Sequence, residues 1–202
     1  VYLFNEGSHF RLYEKLGAHP MAHEGEKGTH FAVWAPNAQK VSVLGVFNAW
    51  DTESHPLRPR ESSGIWEGFI PGVEKGTSYK YHIASGLEGY RVDKADPFAL
   101  YSEVPPRTAS VVWDLNYSWG DEEWMENRQK RNALNAPMVI YEMHVGSWGR
   151  VPEEGGRSLT YRELAPGLAE YVRRMGFTHV EFLPIMEHPF YGSWGYQTLG
   201  YF

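Results

Sequence analysis

Residues 78–84, with the sequence SYKYHIA, decide the fold of the first part of this chain. Apolar and polar residues occupy alternate positions here: Tyr79, Tyr81 and Ile83 alternate with Lys80 and His82. A period of two residues predicts a β-strand with one buried face and one solvent-exposed face.

Three similar runs precede this strand and extend the prediction to a whole domain. Residues 29–35, 41–47 and 65–70 are rich in β-branched and aromatic residues. Turn signals punctuate the runs: Ser63-Gly64, Pro71-Gly72, Lys75-Gly76 and Ser85-Gly86. Short strands at this spacing predict a β-sandwich, which we assign to residues 1–108.

The pattern changes after this domain. Residues 109–135 are predicted to form a linker with a surface helix, because the stretch 119–132 is charged and rich in helix formers. Beyond it, a strand at 138–143, a helical period over 159–175 and a second strand at 178–183 predict a βαβ unit with parallel strands.

The ends of the helix in this unit carry recognisable signals. Thr160 and Glu163 have the spacing of a capping box, and Gly176 suits the C-terminal end. Pro166 would lie inside such a helix, so we expect a short first turn and a main helix that restarts at Pro166.

One βαβ unit is not a complete domain. Residues 136–202 cannot bury both faces of two parallel strands, and a (β/α)₈ barrel needs about 250 residues. We therefore expect a multidomain chain of α/β and β structure that is the first part of a longer protein.

Composition excludes several classes of function. The 202 residues carry a net charge of −6 and no cysteine, so phosphate-driven nucleic-acid binding, disulfides and thiolate chemistry are not expected. We find no apolar stretch of membrane-spanning length, and the lack of cysteine favours the cytoplasm. An aromatic content of 15% in an acidic chain favours a small-molecule or carbohydrate partner.

Metal and carboxylate chemistry receive little support. His19 and His23 have the spacing of a helical ligand pair, but Pro20 lies between them, so we expect surface-loop histidines and no metal. Glu142 and Glu181 lie on neighbouring strands, where a glycosidase pair is conceivable. We expect them to be structural instead, oriented by a nearby histidine, His144 or His179.

Aromatic residues give the stronger signal, because glycan sites combine a flat ring with nearby hydrogen-bond donors. Asn48 and Trp50 share one loop, and Lys80 lies on the exposed side of its strand. Residues 191–197 (YGSWGYQ) follow the second parallel strand, at the barrel end where active sites are built. The alternatives are that Trp50 only covers the sandwich end and that the later loop folds on its own aromatics.

These motifs resemble those of bacterial glycogen branching enzymes along nearly the whole chain. The resemblance rests on residues 13–20 (YEKLGAHP), 31–38 (FAVWAPNA), 47–50 (FNAW), 95–99 (ADPFA), 140–148 (IYEMHVGSW), 161–165 (YRELA), 176–181 (GFTHVE), 183–190 (LPIMEHPF) and 192–197 (GSWGYQ). It implies the amino-terminal portion of such an enzyme: an immunoglobulin-like carbohydrate-binding module of family 48, then the start of an α-amylase-type barrel. Residues 136–202 would then be the first strands and helix of an incomplete TIM-type (β/α)₈ barrel.

The resemblance also implies an activity and its residues. Such enzymes cut an α-1,4-glucan, hold it as a glycosyl-enzyme and transfer it to a 6-hydroxyl, without a cofactor. The catalytic carboxylates belong to later strands, so none is assigned here and residues 1–202 alone are expected to be inactive.

Substrate contacts carry over to a few positions. Tyr196 corresponds to a tyrosine that lies against the sugar at the cleavage subsite, and Gln197 and Trp194 shape the same pocket. Trp50, Asn48 and Lys80 correspond to the glucan-binding site of the module. The turn at residues 86–90 has no second tryptophan, so packing on the barrel is an alternative role of the module.

The expected partners are an α-1,4-glucan or glycogen and the remainder of the barrel, in a monomer. Two other functions stay open: a glucan-binding module without catalysis, and a trehalose-releasing or debranching relative with the same architecture.

Overall fold

The computed structural model describes residues 1–87 and 89–202. The chain divides into two compact units: unit 1 consists of Val1–Asn116 with Leu199–Phe202, and unit 2 of Tyr117–Thr198. Unit 1 therefore runs past the predicted boundary at residue 108, because a strand at Ser110–Val111 pairs with an earlier strand of the same unit.

Unit 1 is built from two antiparallel sheets. Its elements are α1 (Tyr2–Glu6), a 3₁₀ turn (Leu12–Glu14), β1 (Gly17–His23), β2 (Glu26–Trp34), β3 (Ala38–Gly45), a 3₁₀ turn (Val46–Asn48), β4 (Arg58–Pro59), β5 (Ile65–Pro71), β6 (Ser78–Ser85), β7 (Arg91–Lys94) and β8 (Ser110–Val111). One sheet has the order β1-β2-β5-β4, and the other has the order β3-β6-β7 with β8 paired to β6.

The two sheets bury one core between them, as in a sandwich. Phe31 of β2, Val41 and Val43 of β3, and Tyr79 and Tyr81 of β6 are all fully buried in the same cluster. Lys80 and His82, on the other face of β6, keep partial exposure. The alternation in residues 78–84 is thus confirmed as a strand with one buried face.

A buried carboxylate lies inside this sandwich. Asp96 is only 4% exposed, and it accepts hydrogen bonds from the hydroxyls of Tyr79 at 2.6 Å and Tyr81 at 3.3 Å. Its second oxygen accepts from the backbone N–H of Phe98 at 2.8 Å. Burial raises the pKa of Asp96, and it raises the pKa of both phenols well above their usual value, so the phenols remain protonated donors.

The prediction that His19 and His23 lie in a surface loop was wrong. Both belong to β1, where His19 pairs with His30 and His23 pairs with Glu26 of β2. The ring Nε2 of His19 lies 2.9 Å from the carbonyl oxygen of Leu16. The strand tolerates Pro20 because β1 is an edge strand.

Unit 2 contains one parallel strand pair and one long helix. Its elements are α2 (Glu122–Arg131), β9 (Ile140–Met143), α3 (Val145–Trp148), β10 (Arg150–Val151), a 3₁₀ turn (Pro152–Glu154), β11 (Arg157–Ser158), α4 (Tyr161–Met175), β12 (His179–Phe182) and a 3₁₀ turn (Tyr191–Ser193). β9 and β12 are parallel, as predicted, and α4 lies between them in sequence. α2 has no buried residue, in agreement with a surface helix.

The start of α4 differs from the prediction in one respect. The capping box forms, since the Thr160 hydroxyl accepts from the N–H of Glu163 and the Glu163 carboxylate accepts from the N–H of Thr160. However, the helix runs unbroken through Pro166. Proline removes only one helical hydrogen bond near the N-terminus, and the capping box stabilises the turn before it.

The strand pair has only one covered face. Met143, Leu164 and Leu168 form a small core between β9 and α4. By contrast, Ile140 on the other face is 48% exposed, and Glu142 and Glu181 on that face are also exposed. This agrees with the expectation that a single βαβ unit leaves strand surface unburied.

We expect Asp96→Ala to lower the free energy of unfolding by about 3 kcal/mol, because two buried tyrosine hydroxyls and a backbone N–H lose their acceptor. Asp93→Ala is the matched control: Asp93 pairs with His82 at the surface, and its loss should cost less than about 1 kcal/mol. Urea denaturation of the full chain measures both. Equal costs would show that the buried network does not stabilise the sandwich.

Glu163 provides a pH-dependent contribution. Hydrogen bonds from the Arg157 guanidinium and from Thr160 lower the pKa of Glu163 to about 2, from an ordinary value of 4.5. A carboxyl group whose pKa is lower in the folded protein stabilises the fold above pH 4.5, and this contribution is lost as the pH falls towards 2. The wild-type protein should therefore have a higher melting temperature than the Glu163→Gln variant at pH 7, and the difference in melting temperature should decrease below pH 4.5. A difference that is constant with pH would contradict this linkage.

Candidate functional site

The first candidate surface is the strand-end loop, which we define as residues 183–198. It begins where β12 ends, and the N–H of Leu183 continues the parallel pairing by donating to the carbonyl of Met143 at 2.9 Å. The loop therefore starts at the carboxyl ends of two parallel strands. In α/β barrels, this is the end of the strands that carries the active site.

Gly195 holds the loop close to the end of β12. Its φ is +89°, and an added Cβ would overlap the backbone carbonyl of Pro184. Only glycine combines this left-handed conformation with so close an approach. Gly195 is buried, while the residues on either side of it are exposed.

The three predicted substrate residues are neighbours in this loop. Trp194 is 59% exposed and Tyr196 is 67% exposed, and Gln197 is also exposed. The Trp194 ring lies 6.0 Å from the ring of His144, which follows β9. Two aromatic rings beside an amide can stack on and hydrogen-bond a sugar.

The second candidate surface is the module loop, which we define as residues 46–55 of unit 1. Ala49 and Trp50 both have positive φ, +52° and +62°, and the Trp50 side chain is 40% exposed. The N–H of Trp50 donates to the carbonyl of Gly45 at 2.9 Å, at the end of β3. The loop thus presents an indole ring next to the sheet.

Lys80 lies at the same end of that sheet. Its backbone pairs with Leu44, the neighbour of Gly45, and its Nζ donates to the hydroxyl of Thr108 at 2.8 Å. The structure therefore places Trp50 and Lys80 at the same end of the β3–β6 pair.

The Asn48 side chain makes hydrogen bonds that connect several parts of the module loop. Its Oδ1 accepts from the N–H of Gly45 at 2.9 Å, and its Nδ2 lies within 3.1 Å of four acceptors: the carbonyls of Val43 and Asp51, Oγ of Ser54 and Nδ1 of His55. The amide is thus already engaged in the loop, and glucan contact by Asn48 stays a prediction. The observed role of Asn48 is to hold the backbone that carries Trp50.

Glu142 and Glu181 are directly paired in the parallel register, and both are exposed. The histidines expected to orient them bind elsewhere: His144 Nδ1 lies 2.6 Å from Ser147 Oγ, and His179 Nδ1 lies 2.8 Å from Thr178 Oγ1. Across residues 1–87 and 89–202, no hydrogen bond or ion pair joins either glutamate to a histidine, so that expectation was wrong.

The described residues also lack two features that would indicate other functions. No group of three or more potential metal ligands comes together in them. Nor does any helix in the part of the chain that the structure describes have the length and apolar character needed to cross a membrane.

Sequence reasoning missed the residues that support the strand-end loop. Pro184, at the start of the same loop, lies against Gly195, and His144, which follows β9, lies against Trp194. No local pattern indicates either contact. Gly195 carried a usable signal, because glycine in a loop readily adopts positive φ.

Comparison with known proteins connects this geometry to carbohydrate enzymes. Residues 15–99 match carbohydrate-binding module 48, described as the isoamylase N-terminal domain. The chain is 60% identical over 203 residues to the 1,4-alpha-glucan branching enzyme GlgB of Aquifex aeolicus, covering 100% of this chain and 32% of that protein. The GlgB proteins of Myxococcus xanthus and Gloeobacter violaceus are 56% and 57% identical, again over 100% of this chain and over 28% of each relative.

Thus the chain spans about a third of the length of the curated relatives it matches. Among solved structures, a protein of Salmonella typhimurium assigned as an alpha amylase has a similar fold, with a TM-score of 0.66 and 24% identity over 92% of this chain and 27% of that one.

Gly195→Ala should destabilise unit 2 by about 3 kcal/mol, because it adds an overlap with Pro184 to the cost of positive φ. Gly156→Ala is the control, since Gly156 has a φ of +73° with open space around it and should cost about 1 kcal/mol. Urea denaturation of the full chain compares the two variants. Equal losses would mean that contact with Pro184 does not constrain the loop.

Proposed function

Since residues 15–99 match carbohydrate-binding module 48 and the whole chain is similar to 1,4-alpha-glucan branching enzymes, we propose that this chain is part of such an enzyme. The enzyme cleaves an α-1,4-glucan chain and transfers it to a 6-hydroxyl, which creates the α-1,6 branches of glycogen. The observation that carries the proposal is 60% identity along the whole chain rather than along the module alone.

The proposal includes a fold for the region after the sandwich. β9, α4 and β12 are the opening βαβ of an α-amylase-type (β/α)₈ barrel. Ile140 and Phe182 support this, because later strands and helices of a barrel would cover their exposed side chains. Residues 1–202 contain none of the later strands expected to hold the catalytic Asp and Glu, so the chain alone has no branching activity.

The strand-end loop supplies the substrate contacts in this proposal. Tyr196 stacks on the glucose ring at the cleavage subsite and excludes water from it, which favours transfer to a sugar hydroxyl over hydrolysis. Trp194 and Gln197 shape the same pocket. Gly195 sets the position of all three because it anchors the loop to the end of β12.

The module supplies a second, non-catalytic contact. Trp50 stacks on a glucan chain and Lys80 donates a hydrogen bond to it, while Asn48 holds the loop in place. The enzyme works as a monomer in the cytoplasm. It needs no cofactor, because the chemistry is acid–base and nucleophilic catalysis by carboxylates.

Incubation of the full-length protein with amylose tests the proposal. We expect new α-1,6 linkages, measured by ¹H NMR or by debranching and chain-length analysis, with no release of short sugars. Release of trehalose or of linear malto-oligosaccharides would identify a different activity and overturn it.

Tyr196→Ala in the full-length protein should lower kcat about 100-fold, which corresponds to about 2.7 kcal/mol of transition-state stabilisation. Tyr191→Ala is the matched control, since Tyr191 lies in the same loop and is 78% exposed. Tyr196→Phe keeps the ring and should retain most of the activity. Unchanged kinetics in Tyr196→Ala would remove this residue from the substrate site.

A further inference from the structure

The backbone of Trp194 adopts a conformation that needs outside support. Its φ is +55° and its ψ is +28°, in the left-handed region that a residue with a side chain rarely adopts. Such a conformation persists only where contacts with other parts of the structure hold it. Gly195 anchors the chain just after this position, but the indole of Trp194 needs a contact of its own.

The imidazole of His144 supplies that contact. Its ring centre lies 6.0 Å from the ring centre of Trp194, with 38° between the two planes, which is within the range of paired aromatic rings. His144 follows β9 directly, whereas Trp194 lies beyond the end of β12. The ring pair therefore joins the end of one parallel strand to the loop that follows the other.

The His144 side chain is itself held in place. It is half-buried, and its Nδ1 lies 2.6 Å from Oγ of Ser147 in α3. An added Cβ on Gly146 would lie 3.1 Å from Cε1 of the imidazole, so the ring rests against the backbone there. Met143 is buried in the small core of unit 2, and Val145 packs against that core. Both the main chain and the side chain of His144 are thus restrained.

The β10–β11 hairpin supports the same turn. The hydroxyl of Ser158 donates to the carbonyl of Gly146 at 3.0 Å, and Arg150 donates to the Ser158 hydroxyl at 2.8 Å. Trp148, the last residue of α3, packs edge-on against Tyr171 of α4 at 6.1 Å. The support of the imidazole therefore comes from the hairpin and from α4, and it lies outside the strand-end loop.

We infer that His144 is a positioning residue of the branching reaction. It acts through Trp194, and it holds the strand-end loop in the conformation that covers the reacting sugar. This inference rests on the proposed function, in which Tyr196 of the same loop excludes water from the cleavage subsite.

The inference concerns the fate of the glycosyl-enzyme. Either a glucan 6-hydroxyl attacks C1 and forms a branch, or water attacks C1 and releases a free chain with a new reducing end. In both cases the bond from C1 to the carboxylate breaks, and the attacking oxygen gives its proton to the general base. A loop that is less well positioned admits water, so loss of the His144 contact shifts the products from transfer to hydrolysis.

His144→Ala in the full-length protein tests the inference, and His179→Ala is the matched control. His179 is also a half-buried histidine of unit 2, but it lies at the start of β12, where its Nδ1 is 2.8 Å from Oγ1 of Thr178. Two quantities are measured: the new reducing ends per α-1,6 linkage formed from amylose, and the hydrogen–deuterium exchange of residues 190–198 by mass spectrometry.

We expect His144→Ala to raise the ratio of reducing ends to branches about fivefold and to speed exchange in the loop about tenfold, with neither change in His179→Ala. Both products come from folded enzyme, so their ratio does not respond to a loss of folded protein. His144→Phe keeps a ring beside Trp194 and should bring both quantities back towards those of the parent protein.

Equal loop exchange in the His144→Ala and His179→Ala proteins would overturn the inference, because the ring contact would then not hold the loop. So would faster exchange with an unchanged product ratio, since the loop would then move without consequence for the reaction. The parent protein distinguishes the two proposals. Absence of α-1,6 linkages there rejects branching and, with it, the positioning role, whereas branching by the parent with a parental product ratio in His144→Ala rejects only the role of His144.

Discussion

The buried carboxylate of Asp96 is the constraint on which the sandwich depends. It lies among apolar side chains, and it is tolerated there because three donors, the hydroxyls of Tyr79 and Tyr81 and the N–H of Phe98, point at it. The same bonds tie β6 to the segment after β7. They also require both tyrosines to face inward, which places Lys80 and His82 on the outer face. The outward position of Lys80, and with it one candidate glucan contact, follows from the requirements of Asp96.

In both candidate loops, local backbone geometry fixes the position of an exposed aromatic residue. Gly195 anchors one loop by approaching the Pro184 carbonyl, and Asn48 anchors the other through hydrogen bonds to the backbone around it. Gly195 is buried and Asn48 is half-buried, and each fixes the main chain near an aromatic residue, Tyr196 or Trp50, that remains exposed. Rigid support with an exposed ring is the arrangement that sugar stacking needs, because the ring loses little freedom on binding.

Local patterns were reliable where one interaction dominates and unreliable where several compete. The alternation of residues 78–84 and the capping box of α4 appear in the structure as predicted. Pro166 was expected to interrupt α4, but the capping box of Thr160 and Glu163 stabilises the turn before it. His19 was placed in a loop, but β1 is an edge strand and accommodates Pro20. Residues 86–90 contain no second tryptophan, as the sequence indicated, and Glu88 of this stretch lies outside the described residues. An exposed indole, Trp34, lies beside this stretch but comes from β2.

The sequence by itself determined the sandwich followed by a parallel βαβ unit, the helix caps and the aromatic loop at the strand ends, since each depends on contacts between near neighbours or on a simple period. It also carried the motifs that connect the chain to branching enzymes. Only the tertiary structure decided that Asp96 is buried against two tyrosines and that Trp34 and Tyr90 line one groove. These depend on residues that are distant in the sequence and meet only when the sheets pack, which no local pattern records.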